Sequence, residues 1–83
     1  MVQWWSKPVI VDTRKPGARL VISNSERAAE FMLNEWPTVE EGAAYVAAKK
    51  ALLASHEGKL DDEKARAAFI EALVEGDIYI FEK

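Results

Sequence analysis

The groups able to do chemistry in this chain are few and scattered. There is one histidine, His56, and no cysteine. Ser55 precedes the histidine, but neighbours on a helix do not face each other, so adjacency alone makes no nucleophile–base pair. Acid–base work by His56 needs a partner within hydrogen-bond reach. Glu57 points elsewhere on the same helix, which leaves Glu63 in the next element as the carboxylate able to approach. A zinc site takes several converging His, Cys or carboxylate ligands, and one histidine without cysteine does not supply them. Gly17, Gly42, Gly58 and Gly76 are isolated, so no glycine-rich loop cradles a phosphate. The expectation is a protein with no catalytic residue, no metal and no cofactor.

The cations are more suggestive. Residues 1–20 hold Lys7, Arg14, Lys15 and Arg19 against Asp12 alone, a surplus of three positive charges. Residues 21–83 hold seven Lys/Arg against thirteen Asp/Glu, a surplus of six negative charges. A basic segment on an acidic body can attract an anionic ligand or nucleic acid. No aromatic residue is interleaved among the four cations, however, so solvated charge explains them and tight nucleic-acid binding is not expected. Arg66 has two readings. It lies beside the apolar face of the third helix, where it pairs with an acid such as Glu35 and ties that helix to the first, or reaches an anionic ligand.

The elements that would position these residues follow from pattern. A chain of 83 residues, 49% hydrophobic and 30% charged, suits a single small globular domain over 1–83. Its apolar runs, such as AAYVAA at 43–48, fall far short of the roughly 20 residues a membrane span needs. The start, MVQWWSK, has no apolar signal core. With no cysteine, a reducing cytoplasm is the expected compartment and no membrane the expected setting. After an N-terminal segment (1–7), PVIVDT (8–13) and ARLVISN (18–24) read as strands. They form a hairpin (8–24) turned by Pro16-Gly17, with Pro8 as first strand residue.

Ser23-Asn24-Ser25-Glu26 matches a capping box with Ser23 as N-cap. The first helix then carries Ala28, Ala29, Met32, Leu33 and Trp36 on one stripe, and Pro37 ends it. Trp36 on that stripe reads as a core anchor, against the rival reading of a binding hot spot. Thr38-Val39-Glu40-Glu41 repeats the capping pattern for an alanine-rich second helix from Val39 to Glu57, stopped by Gly58. Its bulk comes from Tyr45, Leu52 and Leu53. Asp61 or Asp62 caps a third helix, with Ala65, Ala68, Phe69, Ala72 and Leu73 on its apolar face, ended by Gly76. The three helices occupy 23–76, and the tail 77–83 (DIYIFEK) reads as a third strand. The fold class is α+β: a β-β-α-α-α-β two-layer domain with a small three-stranded sheet and its helices on one face. Strand order stays open.

Trp36-Pro37, Gly42-x-x-Tyr45-x-x-Ala48 and, past Gly58, Ala65-Arg66-x-x-Phe69-x-x-Ala72 form a pattern that covers about Pro8 to Asp77. It resembles a family of small bacterial proteins, the domain-of-unknown-function family numbered 982, abundant in rhizobia and their alphaproteobacterial relatives. The resemblance implies fold and source. It brings no activity, substrate or site residue, and neither Trp4-Trp5 nor Tyr79–Phe81 belongs to the pattern.

The sheet speaks most directly to function. If Val9, Val11, Leu20, Ile22, Ile78 and Ile80 face the helices, the two-residue period puts Ile10, Val21, Tyr79 and Phe81 on the other face. With Trp4 and Trp5 nearby, the six residues form a candidate interaction surface larger than monomers usually leave open. Trp4 or Trp5 covers it from within, or a second copy does, or another protein. The expected function is a non-catalytic interaction or regulatory module, with a homodimer or another protein as partner. The alternative is a binder of a small anion or nucleic acid through Lys7, Arg14, Lys15, Arg19 and Arg66.

Overall fold

A computed structural model describes residues 4–12, 18–36 and 42–83. The elements follow the order strand, strand, three helices, strand: β1 (Trp4–Asp12), β2 (Arg19–Asn24), α1 (Ser25–Asn34), α2 (Ala43–His56), α3 (Asp62–Glu75) and β3 (Ile80–Glu82). This is the expected α+β class and element order. The sheet order is β2-β1-β3, with both pairings antiparallel. The expected turn at Pro16-Gly17 and the capping box Thr38–Glu41 lie outside the described residues, as do Arg14, Lys15 and Pro37.

The first strand begins at Trp4 rather than Pro8 and is the central one. A proline cannot donate to a ladder, so Pro8 inside a central strand calls for an explanation. It falls in the stretch where the β1–β2 register shifts, between Trp4↔Asn24 and Val9↔Ile22. The β3 partners reach only Ile10 and Val11. No ladder bond is lost where Pro8 sits.

Helix termini explain the remaining boundaries. The N-cap of α1 is Asn24, not Ser23: the Asn24 carboxamide accepts from Arg27 N–H at 2.7 Å, while Ser23 stays in β2. Asp61 caps α3 by accepting from Glu63 N–H at 3.1 Å. After α2, Gly58 takes φ +78°, and the amides of Gly58 and Lys59 return to the carbonyls of Ser55 and Ala54. That left-handed residue and its paired bonds make a Schellman end. The same device closes α3 one residue later than expected. Gly76 is the C-cap, Asp77 holds the left-handed φ of 57°, and Ile78 N–H returns to Leu73 at 2.9 Å.

The N-cap of α2 is Gly42, which has no side chain to offer. The carboxylate of Glu75, in the last turn of α3, accepts from the amides of Ala44 (3.1 Å) and Tyr45 (3.3 Å). These are the two amides that a capping side chain normally serves. A negative charge is unfavourable at the end of its own helix but favourable at the start of another. A Cβ on Gly42 would stand 2.3 Å from the Glu75 carboxylate oxygen, so glycine is what lets the cap approach.

The core lies between the helices and the inner face of the sheet. Val9, Val11 and Ile22 from the sheet are fully enclosed with Ala28, Phe31 and Met32 from α1, Leu52 from α2, and Phe69 and Leu73 from α3. The stripe of α1 is rotated from expectation: Phe31 is buried and Leu33 is exposed. On α2, Leu53 is likewise exposed while Tyr45 and Leu52 are buried. Trp36 is 8% exposed, as its place on the stripe predicts. An edge-to-face series of rings crosses the interior. Trp5 meets Phe69 (5.8 Å between centroids), Phe69 meets Phe31 (6.2 Å), Phe31 meets Trp36 (5.7 Å), and Trp36 meets Tyr45 (4.9 Å). These separations and tilted planes are the favourable ones for aromatic pairs. The Tyr45 hydroxyl donates to the Met32 carbonyl at 2.7 Å, satisfying one of the orphan acceptors at the end of α1.

Candidate functional site

The outer face of the sheet is built by alternation. Register pairs Ile10 with Val21 and Asp12 with Arg19, while Val9 and Val11 point inward. On β3 and the residue before it, Tyr79 and Phe81 stand outward, with Ile78 and Ile80 turned to the core. Val21 is 54%, Tyr79 64% and Phe81 38% exposed. Tyr79 and Phe81 stack edge to face at 4.8 Å. The Arg19 guanidinium lies over the Phe81 ring, 4.1 Å from its centroid, so it reaches from β2 across β1 toward β3. Cation and ring attract through the ring quadrupole.

The two N-terminal tryptophans part company. Trp4 is 69% exposed, whereas Trp5 is 5% exposed and belongs to the core. Neighbours in a strand point to opposite faces. The expectation that Trp5 belongs to the interaction surface, or folds over it, is therefore corrected: it packs on Phe69, on the helical side.

Trp5 also starts a buried polar chain that sequence reasoning missed. Its indole N–H donates to Ser25 Oγ at 3.2 Å, Ser25 donates to Ser55 Oγ at 3.0 Å, and Ser55 donates to the Asp62 carboxylate. The bonds all run one way and end on an anion, an arrangement in which each strengthens the next. The chain joins β1, α1, α2 and α3. Ser55 is thus turned inward with its hydroxyl engaged, while His56 is exposed. Glu63 accepts from Ser6 Oγ across the surface. Among the described residues, no three of His, Asp and Glu gather as metal ligands, and no helix is long and apolar enough to cross a membrane.

Among the described residues, the candidate anion contacts Lys7, Arg19 and Arg66 are engaged differently. Lys7 is exposed, and Arg19 is set over Phe81. Arg66 does not pair with Glu35. Its Nε donates to the Lys7 carbonyl at 2.9 Å, so it ties α3 to β1 and not to α1. Glu35 is taken by Arg27 at 2.7 Å. That pairing is favoured because both residues are on or beside α1.

The pattern around Trp36, Gly42 and Arg66 thus has structural work in this fold, with Trp36 and Phe69 in the core, Gly42 under the Glu75 cap and Arg66 on β1. No curated protein and no solved structure matches the chain. A family model does, over residues 7–80, and the chain belongs to that family, described as a protein of unknown function (DUF982).

Proposed function

We propose that this protein is a non-catalytic interaction or regulatory module that pairs with a second copy of itself through the outer face of its sheet. The observation that supports this reading is the shared exposure of Val21, Tyr79 and Phe81 beside Ile10, on a face that carries no helix. Soluble monomers rarely leave a contiguous apolar patch of this kind in water. A twofold interface needs a patch that matches itself. This one has Arg19 already set against Phe81, with Asp12 opposite Arg19 in register and the exposed Glu82 opposite Ile10. The helical part of the chain carries the acidic surplus, and two copies meeting on that side would repel.

A role without catalysis is supported by the inward, engaged hydroxyl of Ser55 and by the surface position of His56. The anion-binding alternative is the weaker reading, because Arg19 is set over Phe81 and Arg66 is drawn to the Lys7 carbonyl through Nε, although its Nη2 is buried without a hydrogen-bond partner among the described residues. A cysteine-free chain suits a reducing cytoplasm. Sedimentation velocity on the unmodified protein and on Tyr79→Ser/Phe81→Ser tests the proposal. A micromolar dimer that the double variant dissociates, with its far-ultraviolet circular dichroism unchanged, is the expected outcome. A monomer near 9.3 kDa at several hundred micromolar would sink it.

A further inference from the structure

A second surface lies on the helices. α1 and α2 run antiparallel, since Tyr45 at the start of α2 bonds Met32 near the end of α1, and Ser25 at the start of α1 bonds Ser55 near the end of α2. Between them is a groove of about 350 Å³ lined by Ala29, Leu33, Leu52 and Leu53. Ser25 contributes to its floor, but its hydroxyl is committed to Ser55 and Trp5, so the interior offers apolar contact only. Lys49, Lys50 and His56 from α2 stand around it with one carboxylate, Glu26. Two lysines beside an apolar groove are notable on a body with a surplus of negative charge. Lys49 also leans over the Tyr45 ring, 5.4 Å from its centroid.

We infer that this groove is a binding site for a small amphipathic carboxylate, an apolar chain whose head meets Lys49 and Lys50. The two lysines at the rim, against the single carboxylate of Glu26, argue for an anionic head, and the apolar interior argues for an apolar tail. Ser25 to Leu33 spans about 12 Å along α1, so an extended chain can lie lengthwise. Concave, apolar sites with a few polar groups at one place are the usual form of small-molecule sites, and about 300 Å³ is their lower bound. The charge at the rim selects the sign of the head.

Isothermal titration with decanoate, and with decyltrimethylammonium as the same chain bearing the opposite charge, tests the inference below the micellar range. Decanoate is expected to bind with Kd of about 0.1–1 mM, the range for a dozen heavy atoms at ordinary ligand efficiency. Lys49→Glu/Lys50→Glu should weaken it at least about fivefold, and Leu33→Ser/Leu53→Ser should weaken it too. These side chains are exposed, so both variants should fold. Tyr79→Ser/Phe81→Ser should bind decanoate unchanged, which separates this site from the sheet face. Equal affinity for the cationic amphiphile, or indifference to charge reversal, overturns the inference. So does perturbation of the amide resonances of Tyr79 and Phe81 in place of those of Leu33 and Leu53. Capture by dioleoylphosphatidylglycerol vesicles without a response to free decanoate would make the groove a membrane contact. Dissociation of the dimer by Leu33→Ser/Leu53→Ser would place a second copy there. Either result ends the proposal.

Discussion

The two faces of the sheet are made from similar residues and put to different ends. Val9, Val11 and Ile22 on the inner face are fully enclosed, whereas Ile10, Val21, Tyr79 and Phe81, one position out of step, meet solvent wholly or in part. Hydropathy does not distinguish the faces; what does is the layer of helices over one of them. The inner face is paid for by burial. The outer face holds its residues by local contacts, the Tyr79–Phe81 ring pair and the Arg19–Phe81 stack. Inner-face and core changes should therefore act on folding, and outer-face changes on association.

The largest expected effect is in the core. Trp36→Ala removes a side chain that packs on both Phe31 and Tyr45 and should cost about 3–5 kcal/mol, a large part of the roughly 4–12 kcal/mol available to a chain of this size. Denaturant titration giving a loss under about 1 kcal/mol would remove Trp36 from the core and blur the contrast. Next comes the buried polar chain. Ser55→Ala leaves the Ser25 hydroxyl without its acceptor, and about 1–3 kcal/mol should be lost in the same titration. Gly42→Ala should cost about 0.5–2 kcal/mol, the worth of a cap, because the new methyl group displaces the Glu75 carboxylate. In a Glu75→Ala background the same change should cost almost nothing, and an undiminished loss there would show that the cap is not the cause. The smallest stability effect belongs to Tyr79→Ser/Phe81→Ser, within about 1 kcal/mol on the scale of a single ring pair or cation–π contact. If instead this variant unfolds, the outer face is structural and the contrast between the faces fails.

Local signals carried most of the fold. Alternation along 9–11 and 20–22 placed the strands and both faces, and Asp61, Gly58 and the Trp36 stripe placed helix ends and core. What escaped depended on partners distant in sequence. Trp5 looked like surface beside Trp4 because nothing near it names Phe69 or Ser25 as neighbours. On α1, Phe31 and Leu33 are equally apolar, and what decides between them is how α1 seats against the sheet and the other two helices. Arg66 was placed near its apolar face, but its acceptor is a backbone carbonyl at Lys7, which no side-chain pattern announces. The groove between α1 and α2 exists because Leu33 and Leu53, from separate helices, both turn outward.

The carboxylate that caps α2 arrives on a residue 31 positions later in the chain. On a ribosome, α2 emerges complete but with its first amides unserved, and they stay so until the last turn of α3 has been made and folded back. The two helices therefore close as one event. In a hydrogen-exchange experiment, Ala44 and Tyr45 should report the opening of α3 and not the fraying of their own helix. A chain cut short before Glu75 should have a ragged start to α2, although every residue of α2 is present.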